Sequence, residues 1–150
     1  MSEVTLHPVW KQAVSVFLTA GFADGDVVAR EWFELQFGMA QASGSMRLDA
    51  YQARQLAWLE NIEALRRELL EKHRIYLENV YGSGYRIVPP AEQTGATKAR
   101  FEREVKKEFR RAALGFKNIR HEALSDAQRQ ENLDAIVKLS QIASMRKALR

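Results

Sequence analysis

The densest chemistry in the sequence is a run of cations: Lys98, Arg100, Arg103, Lys106, Lys107, Arg110, Arg111 and Lys117 fall within one segment. Ammonium and guanidinium groups at that density suit phosphate, and six or more phosphate contacts make nucleic-acid binding steeply salt-dependent. Glu102, Glu104 and Glu108 interleave with these bases. A second reading therefore stands beside the first, a solvated helix face laced with i,i+4 ion pairs worth about 0.2–0.5 kcal/mol each. The remaining reactive groups are dispersed. His7, His73 and His121 lie far apart without the carboxylate spacing of a metal centre, so surface or capping roles are expected and no metal. Gly82-Ser83-Gly84 lacks the lysine and acidic partner of a phosphate loop. Ser83 is not a nucleophile elbow, because that motif needs a strand running into a helix. Glu31 and Glu34 sit on a helix surface with no flanking pocket legible in the sequence. No catalytic constellation and no cofactor motif emerges, and the expectation is a protein that is not an enzyme.

The elements that must position these residues follow from periodicity. Pro8 suits a first helical turn, and Val9, Ala13, Val16, Phe17 and Ala20 then recur at helical spacing until Gly21, predicting a helix over 8–20. Asp26 is placed to cap a second helix, with Val27, Val28, Trp32, Phe33, Leu35 and Phe37 as its apolar face and Gly38 as its end. Residues 40–45 read as a loop. Asp49 with Gln52 has capping-box spacing, and a helix runs from there to about Lys72 with Leu56, Leu59, Ile62, Leu65, Leu69 and Leu70 as its expected buried stripe. Its length leaves room for a projecting end or a break near Leu56. The period then changes to two around Gly82-Ser83-Gly84, predicting a hairpin from Ile75 to Val88 that Pro89-Pro90 closes. Residues 91–97 read as a polar joint. From about Ala96 a helix carries Phe101, Val105, Phe109, Ala112 and Phe116 on one line, and Gly115 to Glu122 reads as a turn. Ser125 with Gln128 repeats the capping-box signal before a last helix marked by Leu133, Ile136, Val137, Leu139, Ile142, Met145 and Leu149. Trp10, Trp32 and Trp58, among apolar positions, are read as core rather than base-stacking platforms.

Composition bounds the class. A chain of 150 residues with 46% hydrophobic and 28% charged residues has ordinary globular proportions. No apolar run approaches the roughly 18 residues of a membrane helix, so no membrane partner is expected. The start MSEVTLHPVW lacks an export signal and there is no cysteine, so a cytoplasmic location is the expectation. The formal net charge is +4, unevenly spread: residues 1–94 hold 9 Lys/Arg against 12 Asp/Glu, and residues 95–150 hold 14 against 7. That asymmetry points to an anionic partner for the C-terminal third.

Three segments carry a resemblance. Val28–Gly38, with its Arg30-Glu31-Trp32-Phe33 core, looks like the positioning helix of the OmpR-type response-regulator DNA-binding domain. Ile62–Leu69 is similar to the end of that family's recognition helix, and Leu77–Ile87 resembles its wing. The resemblance implies a winged helix-turn-helix with one β-hairpin wing, in the mainly α (α+β) class, over residues 1–90. A basic C-terminal two-helix extension follows over 95–150, available for dimerisation (a homodimer), DNA contact, or both. It implies a third helix in the major groove and a wing on the backbone or minor groove. The residues so implicated are Gln52, Arg54, Gln55, Asn61, Arg66, Arg67, Tyr81, Ser83 and Arg86, to which the C-terminal bases Lys98, Arg103, Lys106, Lys107, Arg110 and Arg111 are added. Asn61 suits adenine and Arg54 suits guanine. Tyr81 stands where the family's wing usually has arginine, and no receiver domain is present in the sequence.

Two functions follow as expectations. The first is a small DNA-binding transcriptional regulator acting on duplex DNA. The second is an interaction protein, such as a factor encoded by a phage or mobile element, that uses the same scaffold to block a host protein or nucleoprotein machine. The acidic N-terminal part, the Ala-rich reading face of Ala53, Ala57 and Ala64, and Tyr81 as an interface anchor favour the second.

Overall fold

The computed structural model describes residues 7–39, 41 and 43–148. It divides into two compact units at Ala96/Thr97. Among the described residues no helix is long and apolar enough to cross a membrane.

The first unit is mainly helical with a small antiparallel sheet. Pro8 precedes α1 (Val9–Thr19) and its carbonyl accepts the first amides of the helix, from Lys11 and Gln12. A short strand β1 (Val27–Ala29) leads into α2 (Arg30–Gln36). The long α3 (Leu48–His73) follows, then β2 (Leu77–Val80) and β3 (Gly84–Ile87), with β3 central in the order β1-β3-β2. Register sets Val28 opposite Tyr85 and Asn79 opposite Tyr85 on the other side. Tyr81-Gly82-Ser83 closes the hairpin, with the Ser83 amide donating to the Val80 carbonyl at 3.0 Å. Gly82 has φ 78°, in the left-handed region glycine tolerates without a Cβ penalty. Gly84 is needed for a second reason: a Cβ there would press on the Val28 carbonyl oxygen and lie 2.9 Å from the Ala29 Cα. The hairpin is therefore locked against β1 by a missing side chain.

The core gathers Ala13, Val14 and Phe17 of α1, Phe33 of α2 with Phe37 just beyond it, Trp58, Ile62, Leu65 and Leu69 of α3, and Val28, Leu77, Tyr85 and Ile87 of the sheet. Phe33 meets Trp32 and Tyr85 edge-on at ring separations of 5.2 and 5.6 Å, arrangements that aromatic quadrupoles favour. Trp58 is buried, and Trp10 and Trp32 pack against the core, as their apolar settings predicted.

Several local expectations are corrected. Asp26 caps no helix: its carboxylate accepts the Ala23 amide at 2.8 Å in a turn, and Val27-Val28 enter the sheet. Two β-branched residues alternating exposed and buried fit a pleated strand better than a first helical turn. Val27 and Leu35 are exposed. The Asp49–Gln52 box does not form, since α3 begins at Leu48 and Asp49 accepts the amide of its neighbour Ala50. The helix is unbroken at Leu56, and Leu56, Leu59 and Leu70 point outward, because Trp58, Ile62, Leu65 and Leu69 alone fall on the row facing the core. At the C-terminal end of α3, Arg74 takes a left-handed φ of 59°, and its amide and that of Ile75 return to Leu70 and Leu69 as a Schellman-type stop. Residues 91–97 hold the boundary between the two units as expected, but they are helical, the start of α4 (Pro90–Lys117), where proline is tolerated first because an N–H at that position would have no intrahelical acceptor. Of the 40–45 loop, Ala40 and Ala42 lie outside the described residues, as does Leu149.

In the second unit α4 runs through Gly115 to Lys117, a 3₁₀ turn covers His121–Ala123, and α5 spans Asp126–Ala148. The Ser125–Gln128 capping box forms in both directions: the Gln128 amide donates to the Ser125 hydroxyl at 3.2 Å and the Ser125 amide to the Gln128 side chain at 3.0 Å. The helices run antiparallel. Asn132 donates to the Phe116 carbonyl near the turn, and Arg146 pairs with Glu102 at the far end while lying 5.5 Å from the Phe109 ring. Val105, Phe109, Ala112 and Phe116 are half-buried, and among the described residues of this unit Asn132 alone is classed as buried.

Candidate nucleic-acid interface

Three of the expected DNA-facing arginines are built into the first unit. The Arg54 side chain is only 10% exposed and donates to Glu34 at 2.7 Å. Glu34 also receives Arg30 Nε at 2.7 Å, so one carboxylate bridges two cations. Burial pushes the Glu34 carboxyl up, but the hydrogen bonds from Arg30 and Arg54 and the charges of both guanidiniums outweigh it and hold the group below its ordinary value. Arg30 in turn lies 4.4 Å from the Trp58 ring centre. Arg66 donates to the Leu77 carbonyl at 2.9 Å, lies 3.6 Å from Glu63 and stacks over the Tyr85 ring. It ties α3 to the hairpin. Burial raises the Tyr85 hydroxyl pKa, opposed by the Arg66 charge, so the phenol stays neutral in the core rim. Arg86 is held between Glu78 at 3.8 Å and Glu92 at 2.9 Å.

The other candidates of this unit are scattered. Gln52 and Arg67 are exposed on α3, Gln55 is half-buried, and Asn61 spends its amide on the Ala57 carbonyl at 2.9 Å. Tyr81 and Ser83 stand at the hairpin tip, Tyr81 fully exposed. An open cleft of about 430 Å³ beside that tip is lined by Arg30, Trp58, Asn79, Tyr81 and Ser83. Sequence reasoning missed what surrounds Arg67: exposed Leu56, Leu59 and Leu70 beside Glu60, Glu63 and Glu71. The signal was present, since Leu56 and Leu59 fall off the i, i+4, i+7, i+11 row set by Trp58.

In the second unit the bases do assemble. At roughly 100° per residue, Arg103, Arg110 and Lys117 stack on one line of α4, with Arg100 and Lys107 beside it and Lys106 on the other flank. All are exposed, on the side of α4 opposite the half-buried Phe109 and Phe116. The carboxylates lie elsewhere: Glu102 turns to Arg146, and Glu104 and Glu108 pair along one edge with Lys107 at 3.6 Å and Arg111 at 2.8 Å. Those pairs sit at i,i+3 rather than i,i+4. Arg100, Arg103, Lys106, Arg110 and Lys117 make no ion pair with a described residue, and Lys98 is exposed at the start of this unit. The result is a cationic strip on the order of 20 Å long, from fourteen residues' rise at about 1.5 Å each, with no acid within it.

Among the described residues no three of His, Asp or Glu gather as a metal set. No protein-family model, curated protein or solved structure matches this chain.

Proposed function

We propose that this chain is a small DNA-binding protein, a transcriptional regulator that holds duplex DNA chiefly through its phosphates, with α4 as the main contact. The observation that carries this is the acid-free cationic strip of α4. A protein that neutralises several phosphates gains affinity from counterion release without reading sequence. We also infer a winged-helix architecture for the first unit; the order helix, strand, helix, helix, hairpin and the central position of β3 support it. In that architecture Gln52, Arg67, Ser83 and Tyr81 are the residues left to touch DNA, since Arg54, Arg66 and Arg86 hold the fold together. Backbone binding with weak sequence preference follows. Titration of a labelled mixed-sequence duplex at ~50 mM salt tests this, and absence of binding there sinks it.

One observation favours a second reading, an interaction protein. The outer face of α3 presents leucines rimmed by carboxylates, which repels phosphate and suits an apolar, cationic protein surface. Capture from nuclease-treated lysate separates the two, because a protein partner bound there survives removal of DNA.

A further inference from the structure

The second unit leaves apolar surface that two helices cannot cover. On α5, Ala135, Ile136, Leu139 and Ala143 are half-buried, while Leu133, Val137, Ile142 and Met145 are 54, 54, 56 and 65% exposed. Apolar side chains on more than one side of a helix call for more than one packing neighbour, and this unit supplies α5 with one. Leu133, Val137, Gln141 and Met145 lie at i, i+4, i+8 and i+12, forming one continuous ridge, and Asp134, Lys138 and Ile142 form the next.

We propose that a second copy of this chain covers that ridge, so that α5 forms the two-fold interface of a homodimer and the α4–α5 pairs of the two copies complete a four-helix bundle. Charge selects this occupant. Asp134 and Lys138 flank the apolar ridge one turn apart, and Lys138 makes no ion pair with a described residue. Antiparallel packing of two α5 helices about an axis level with residue 136, one residue from Val137, sets Asp134 against the partner's Lys138 and, by symmetry, Lys138 against the partner's Asp134. An isologous contact needs such self-complementarity. The cationic strip lies on the far side of α4, so association does not force the two sets of bases together.

Sedimentation of the full chain without nucleic acid, from ~1 to ~100 μM, tests the proposal; a reversible dimer with Kd on the order of micromolar is expected. Val137→Glu should weaken association at least about tenfold while far-UV circular dichroism stays unchanged, because the side chain is exposed in one copy. Asp134→Lys and Lys138→Asp should each weaken it, and the two together should restore it to within about threefold, as a double-mutant cycle reads a direct pair. Arg103→Gln should leave the mass unchanged. A monomer throughout, a dimer indifferent to Val137→Glu, or failure of the paired swap to restore association would each overturn the proposal, whatever the DNA titration shows.

Discussion

Replacing Glu34 by glutamine removes the charge that joins α2 to α3 while keeping the side chain's shape. The Arg30 contact is worth little, since that side chain is 41% exposed and surface pairs contribute about 0–1 kcal/mol. The Arg54 contact is worth more. Both partners are largely buried, at 10 and 17% exposure, and a hydrogen bond between charged groups contributes about 1.5–3 kcal/mol. Removing the carboxylate also weakens the charge balance around a buried guanidinium, so we expect Glu34→Gln to cost about 3 kcal/mol at pH 7. Because Trp10, Trp32 and Trp58 all belong to the first unit, tryptophan fluorescence during urea unfolding follows that unit alone. The folded carboxyl titrates below its ordinary value of 4.5, so its stabilisation is complete above that value and is lost as the pH falls through the lower folded value. The gap between wild type and variant should therefore stay constant from neutral pH down to about pH 5 and close below it. A gap under ~0.5 kcal/mol at pH 7, or one that widens in acid, would refute the reasoning.

Two further substitutions probe particular joints. Gly84→Ala forces a Cβ against the Val28 carbonyl at a φ of 137°, and should cost more than about 3 kcal/mol in the same fluorescence assay, whereas Gly44→Ala, with open space around it, should change little. Ser125→Ala removes one half of the capping box before α5, and should cost about 1 kcal/mol, read by circular dichroism of the helical transition with no change in tryptophan emission.

Local signals were legible where they were strong and self-contained. The Ser125–Gln128 box, the glycine turn and the long helix after residue 48 depend on neighbours in the chain, and each forms. Strand β1 was not legible, because three residues are too few to show a period and Val27-Val28 fits an apolar helix face equally well. Pro89-Pro90 ended the hairpin as expected but also opened α4, since proline that breaks a ladder is compatible with a helix start. At the candidate interface the arginines on α3 could not be judged from residue type. Arg54 finds Glu34 from twenty positions away and Arg66 finds a carbonyl in β2, contacts that tertiary packing alone creates. The cluster of bases in α4 was legible from composition alone, whereas their gathering on the side away from Phe109 and Phe116 follows from helical spacing once the helix is continuous.

The central claim is that the exposed cations of α4 hold DNA phosphates, and the salt dependence of binding measures it most directly. For wild type, a plot of log K against log salt should fall with a slope of about −4 to −5, from roughly five phosphates neutralised, and Arg103→Gln with Arg110→Gln should make it shallower by about 2. A slope that the double substitution leaves unchanged, or binding that salt does not weaken, would contradict the account.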